Sequence, residues 1–448
     1  MCQVAPSRSR RFNIITKLYA LAIVVMQAIQ NAIEARDAVQ KAKKTRKNRA
    51  RPDYRQSTWW RMLADGRCKD PETPEHQLFR RRFTVPFTMY ADIVKKARDW
   101  GVFPKDGDTD ASGRPAVPLE LKVLGALRYL GKGVCFDAIA ELSGMSEQTA
   151  QNFFHKFWRR FVDEFKDQWI KYPTTAEEAK QSLEDYAALG YPGAVASVDV
   201  THVGWAMCPA RWANFYKNGK NKVPTVAYEC AVSKRGRVLY VSDGHPGTRS
   251  DKAIAKTDIF VQDVLQKRIL QDVTFKLRKV DGTQHEVTGA WLITDNGYTK
   301  VRSMQCPIKH CSSQQEYDYS LRLESVRKDV EAFFGRLKIR FRLLRGNVNF
   351  HKQRKVDACF FAACILHNML HEADGLDQGW AGGTQEDEDI RAAYDALRSR
   401  RRQAEHAREV VDLPDNPLYP PEVGEEDGED REEDHFFSLS LLLIERYT

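Results

Sequence analysis

Residues 194–199 read AVASVD, five small or apolar side chains followed by a carboxylate. A short continuous run of this kind, rich in valine and alanine, is what a strand buried on both faces looks like. An ionisable group at its end is out of pattern for packing. The pattern recurs at 290–295, AWLITD, where Asp295 stands just before Asn296, Gly297 and Tyr298. Between the two, 223–233 and 237–242 are β-rich runs joined by a turn around Arg235 and Gly236. A helical stretch is expected over 251–269, then a hairpin within 273–288 with Asp281 and Gly282 at its tip. A long helix follows from about 325 to 344. Three strands, a helix, a strand and a helix describe an α/β core with a mixed sheet.

Working towards the N-terminus, the apolar spacing from 59 to 165 is helical, interrupted by a Gly/Asp/Pro loop over 101–118. Residues 119–130 form a helix ended by Gly131 and Gly133, and 136–142 a shorter one. Ser143, Gly144 and Met145 turn the chain, and Ser146 caps a third helix with Glu147 in its first turn. The spacing is that of a helix-turn-helix, whose later helix would offer Glu147, Gln148, Gln151 and Asn152 to a DNA groove. A plain helical packing unit would have the same spacing.

The 448 residues are 42% hydrophobic and 29% charged, which excludes collagen-like, wholly disordered and polytopic membrane chains. The net charge of +9 is unevenly placed: +10 over 1–55, +10 over 56–380 and −11 over 381–448. A basic body and head with an acidic tail point to a polyanionic partner, most simply nucleic acid. Residues 18–29 imitate a signal-peptide core but run on into Gln30, Asn31, Glu34 and Arg36, and are too short to span a bilayer. They read as an amphipathic helix leading to the basic cluster at 41–51, which is a nuclear-import signal, a DNA arm or a disordered charged linker. The acidic run EVGEEDGEDREED (422–434) is a disordered tail by composition. The organisation is a basic N-terminal helix and tail (1–56), a helical helix-turn-helix-like domain (57–170), a linker (171–190), the α/β core (191–375) and the tail (376–448).

Nine scattered cysteines, an odd number, are not a disulfide framework and suit a reducing compartment. Cys306 and Cys311 bracket His310, but no second ligand pair stands at zinc-finger spacing. His202 and Cys208, close behind Asp199, also fall short of a zinc set. Trp205 and Trp212 read either as base-stacking or as packing residues.

Phosphodiester chemistry with two divalent ions needs carboxylates converging from different elements, because Mg²⁺ takes hard oxygen ligands and the charge on the phosphate must be balanced. Asp199 and Asp295 end two strands, and Glu331 lies on the later helix with Arg327, Phe334 and Lys338 on or near its face. Two strand-end acids and one on a later helix make the arrangement of a ribonuclease-H-like nuclease. Arg336, Lys338, Arg340, Arg342 and Arg345 form either a phosphate rail or a solvated helix face. Asp251, read from its position alone, N-caps the helix that follows it.

The stretches SVDVTHVGWAMCPARW, HPGTRSD, LITDNGY, VRKDVEAFFGRLKIRFRLL and ACILHNML, in that order over 119–372, resemble the PIF/Harbinger family of DDE transposases, in its plant-transposon-like branch. The resemblance implies a catalytic triad of Asp199, Asp295 and Glu331, with thirty-five residues between the last two. It implies Asp251 as a further acid near the metals, which would be Mg²⁺ or Mn²⁺. Arg327, Glu331 and Lys338 reproduce the R(3)E(6)K part of a signature of related insertion-sequence transposases; the tyrosine expected three residues earlier is Glu324. The implied activity is two-metal cleavage and strand transfer at the terminal inverted repeats of a transposon, in the nucleus. Homo-oligomers and a Myb/SANT-like partner would act at those ends, with no role for a membrane. A domesticated, catalytically silent DNA-binding regulator would share the fold, and a protein-interaction scaffold using the N-terminal helix and acidic tail would need no metal.

Overall fold

The computed structural model describes residues 25–32, 53–104, 107–109, 113, 115–219, 223–278, 283–376 and 443. Of the expected N-terminal helix only α1 (25–32) falls within them. The basic cluster, the 281–282 hairpin tip and the acidic tail lie outside the described residues. The residues from 53 onward belong to a unit separate from α1.

Six helices come first: α2 (Thr58–Asp65), α3 (Pro74–Phe83), α4 (Phe87–Asp99), α5 (Leu119–Lys132), α6 (Phe136–Ser143) and α7 (Glu147–Trp169). In α7, Phe154, Phe157, Trp158, Phe161 and Phe165 recur at three- and four-residue intervals, and all are buried. Its start follows the expected cap, the Ser146 hydroxyl accepting from the Thr149 amide at 3.2 Å. Gly144 ends α6 at φ +70°, and a Cβ there would come within 2.8 Å of the Tyr54 Cα, so the turn demands glycine twice over. After α8 (Ala176–Ala188) the sheet begins with β1 (Ala194–Trp205), followed by the short α9 (Ala213–Tyr216).

Antiparallel β2 (Thr225–Val232) and β3 (Val238–Val241) extend the sheet on one side of β1. The short β4 (His245–Pro246) adds to β2. The chain crosses through α10 (Asp251–Ala255), α11 (Ile259–Leu265) and the two-stranded ribbon of β5 (Thr274–Arg278) and β6 (Gln284–Thr288). It returns as β7 (Trp291–Ile293), parallel to β1, with β8 (Met304–Gln305) parallel beyond it. The order is β3-β2-β1-β7-β8. Two helices, α12 (Gln314–Arg340) and α13 (Gln353–Ala373), flank β9 (Asn347–Val348), which pairs with the far end of β1.

Some boundaries differ from the sequence reading for local reasons. The strand expected to end at Asp199 continues to Trp205, because beyond Asp199 the buried residues alternate with half-buried ones while pairing to β2 persists through Gly204. The single helix expected over 251–269 is two, because the Asp258 carboxylate accepts from the Val261 amide at 3.0 Å and starts a new helix. The long helix begins at Gln314, eleven residues earlier than expected, behind a Ser313 cap.

Two apolar clusters cover opposite faces of β2. Val226, Tyr228, Cys230 and Val232 join the six N-terminal helices and α13 in one cluster, and Tyr228 stacks on Phe360 at 4.0 Å. Ala231, with Ala194–Val198 of β1, joins α8, α11 and the β5–β6 ribbon in the other. Asn368 on α13 fastens three pieces together: its Oδ1 accepts from the Val238 amide (2.9 Å), and its Nδ2 donates to the Val238 (2.8 Å) and Trp169 (2.7 Å) carbonyls. Replacing it by alanine strands these buried groups at about 1–3 kcal/mol each. Asn368→Ala should therefore lose roughly 3 kcal/mol or more in urea unfolding at unchanged m-value.

Candidate active site

β1 brings Asp199 to the edge of the core, where its Oδ1 accepts from the Val200 amide at 2.8 Å. Its Oδ2 accepts from Arg327 Nη1 at 3.3 Å. Arg327 is 7% exposed and sits on α12 between Glu324 and Glu331, three residues before and four after, so all three share one helix face. Its Nη2 donates to Glu324 (2.7 Å) and to Glu331 (2.8 Å). Asp199 and Glu331 therefore meet at a single guanidinium.

Asp295 follows β7 and accepts from the Gly297 amide at 2.8 Å. A Cβ on Gly297 would stand 3.0 Å from Asp295 Oδ1 and 3.0 Å from Asp251 Oδ2. Asp251 and Asp295 thus flank one glycine. Asp251 is the first residue of α10 and leaves the capping to Ser250, whose hydroxyl accepts from the Ala253 amide. The N-cap alternative for Asp251 is not what the structure shows.

Burial, with the charges of Asp295 and Asp251, pushes the Asp199 carboxyl up to about 7, against the Val200 amide and Arg327, which pull it down. For Arg327, burial alone would favour loss of the proton, but the hydrogen bond and charge of Glu324, with Asp199 and Glu331, hold its pKa well above the usual value.

One residue of this region is absent from the sequence reading. Glu229 lies in β2, fully buried in a strand whose every residue is buried. Burial, then the charges of Asp258, Asp251 and Asp199, raises its carboxyl far above the usual range. Neither Glu229 oxygen nor the Tyr298 hydroxyl nearby reaches hydrogen-bonding geometry. The signal was available: an acid inside TVAYECAV is as far out of pattern as the one ending AVASVD. Because its proton is held more tightly in the folded than in the unfolded chain, the stability linked to Glu229 is lost as pH rises above the ordinary carboxylate range. Glu229→Gln should consequently be more stable than wild type at pH 8 and should flatten that pH dependence in thermal melts.

The cations predicted from sequence fall in different places. Arg327 is committed to carboxylates. Lys338 donates to the His202 carbonyl at 3.0 Å, and its burial lowers its pKa. Arg340 is half-buried and also lowered by desolvation. Arg336 is exposed, with its guanidinium against Gly236, which has φ +87°. Arg342 and Arg345 are exposed. Gln148 is exposed and bonded to Asn152, while Gln151 is half-buried. Trp205 is buried and donates to the Phe350 carbonyl, whereas Trp212 is 45% exposed. His202 bonds Thr225, and Cys311 is exposed while Cys306 is buried.

Comparisons with known proteins bear on this arrangement. Residues 167–377 match the profile of the plant transposon protein family. An ALP1-like protein of Arabidopsis thaliana is 24% identical over 319 residues, 70% of this chain and 74% of that protein. The putative nuclease HARBI1 of Rattus norvegicus is 24% identical over 268 residues, 58% of this chain and 70% of that protein. No solved structure matches. Over 167–377 the chain is thus similar to plant transposon proteins, and at low identity it is similar to the ALP1-like protein and to the putative nuclease HARBI1.

Proposed function

We propose that this chain is a DDE-type, divalent-metal-dependent nuclease of transposase descent, with a ribonuclease-H-like core behind a helix-turn-helix-like segment. The observation that carries the reading is the meeting of Asp199, Asp251, Asp295 and Glu331, delivered by β1, α10, the end of β7 and α12, around Gly297 and Arg327. Three antiparallel strands followed by two parallel to the first support the ribonuclease-H-like reading of the core. Its substrate would be duplex DNA at transposon terminal repeats, in the nucleus. Homo-oligomers and a Myb/SANT-like partner belong to the same proposal.

The donor set suits Mg²⁺ or Mn²⁺, being hard carboxylate oxygens with a desolvated Asp199 repelled by its neighbours. When bound, such ions activate an attacking water or 3′-hydroxyl and stabilise the leaving oxygen. Asp199, Asp251, Asp295 and Glu331 would hold them. As the side chains stand, no three His, Cys, Asp or Glu among the described residues enclose a metal position. Arg327 explains this for two of the acids: it holds both Asp199 and Glu331, and Glu331 must let go of it to ligate. Arg327 is then left to neutralise charge beside the site. The second reading, a silent DNA-binding descendant, draws on the same arginine, which balances the acids without any metal.

Titration with Mg²⁺ separates the readings. The proton on Asp199 must leave before a metal binds, so affinity measured by calorimetry should strengthen as pH rises and level off above about 7. Without metal the sign is reversed: a raised carboxyl makes the folded state lose stability over that rise. A protein with no Mg²⁺ or Mn²⁺ binding at pH 8 would be the silent form.

A further inference from the structure

A cavity of about 530 Å³ opens between α10, α11 and the segment joining β7 to β8. It falls within the size range of small-molecule sites. Lys256, Lys267 and Arg302 line it, no carboxylate does, and Leu265, Val301 and Met304 supply an apolar wall. None of the three cations has an ion-pair partner among the described residues. Lys267 is held in an unusual way: its backbone is left-handed at φ +52°, and its Cε lies 3.6 Å from where a Cβ on Gly289 would stand. Strain of that kind at a non-glycine residue persists only when the surroundings enforce it.

The cavity shares its walls with the acid cluster. Ala255, on its lining, is one helical turn after Asp251, about 5–6 Å away between Cβ atoms. Thr299, also on the lining, is four residues after Asp295. The charge arrangement therefore changes sign within one turn of α10. A phosphate approaching four carboxylates is repelled unless cations stand beside them, and Arg327 and Lys338 are already engaged within the protein.

We infer that this cavity is a nucleotide subsite. It takes one nucleotide of a DNA strand, its phosphates on Lys256, Lys267 and Arg302 and its base against Leu265, Val301 and Met304, with the adjoining phosphodiester at the acid cluster. The assignment rests on the nuclease reading above. It places the strand between α10 and the β7–β8 segment, with polarity set by which side of the scissile bond the subsite holds.

The test uses the full chain and a fluorescein-labelled duplex, with and without a three-nucleotide single-stranded extension, followed by anisotropy in EDTA. Wild type should prefer the extended duplex. Combined Lys256→Gln, Lys267→Asn and Arg302→Gln, asparagine being chosen because it tolerates the left-handed backbone, should bind the extended duplex at least tenfold more weakly and lose the preference. The salt slope should fall by roughly one to two, about 0.7–0.9 for each phosphate that the three cations no longer neutralise. A charge-matched Arg61→Gln, Lys95→Gln, Lys96→Gln protein should keep the preference. Lys256→Gln alone, at an exposed position, gives a several-fold loss that does not depend on the triple variant folding. Wild-type preference in the triple variant with a native circular dichroism spectrum overturns the subsite and leaves the nuclease reading standing. Displacement of DNA by micromolar 2′-deoxyadenosine 5′-monophosphate overturns it in favour of a free-nucleotide site. Failure of wild type to bind either duplex, with the Myb/SANT-like partner added, overturns both.

Discussion

Asp199→Ala is expected to abolish Mg²⁺-dependent strand cleavage, a fall of several orders of magnitude, while leaving DNA binding intact. The carboxylate sits where β1 meets Arg327, within the field of Asp295 and Asp251, so on the two-metal reading its loss removes one of the donors proposed for the ions. Losing one negative charge reduces repulsion of phosphate, so affinity holds or improves. Cleavage is to be assayed on matched terminal-repeat DNA with the partner protein present, because a missing partner imitates an inactive enzyme. Equal cleavage by wild type and variant would place the chemistry elsewhere. Binding without cleavage by both would establish the silent descendant. Holding several mutually repelling acids together costs folding stability, and DNA binding alone gives no physical reason to do so.

Arg327→Met should produce the largest loss of stability of any single change at the site. The side chain is buried and answers Asp199, Glu324 and Glu331 together. Breaking a buried ion pair costs about 3–5 kcal/mol. Glu331 is half-exposed and solvent screens its share, so a value near the lower end is expected. The loss has a characteristic pH dependence. Carboxyls deprived of their cation take protons more readily when folded, so the variant should regain stability as pH falls from 8 towards 5. Millimolar Mg²⁺ should restore much of it at pH 8, since a divalent cation can supply the missing charge. Thermal melts with and without Mg²⁺ read both effects, and a deficit indifferent to metal and pH would show that Arg327 is held for packing rather than charge.

Much of the fold follows from periodicity, and the places where it does not are instructive. The β1, β2 and β3 runs are legible because each is β-rich and bounded by turn residues. The three helices from Leu119 to Trp169 are legible because glycines and a serine mark their ends. The short β8 and β9 escape notice because two residues carry no period, and only their partners identify them. α13 is buried almost throughout, so it lacks the one-sided polarity that reveals a surface helix. At the site, residue types and spacing pointed to three acids and the family resemblance added Asp251; the structure brings all four to one region. The roles of Arg327 and Lys338 were not legible, since a helical face lists its cations without saying which turn inward. Glu229 is hidden for a simpler reason: it lies within a strand, not at the strand ends where the other acids stand.

The three-way tie at Asn368 bears on which truncated forms of the chain can fold. It joins α13 to β3 and to the last turn of α7, and the same apolar cluster runs on into helices that precede the 167–377 segment. A deletion that spared 167–377 but removed residues 53–166 would strip the cover from Tyr228, Phe360 and their neighbours. Such a remnant would aggregate or be degraded rather than persist as a small, independently folded domain.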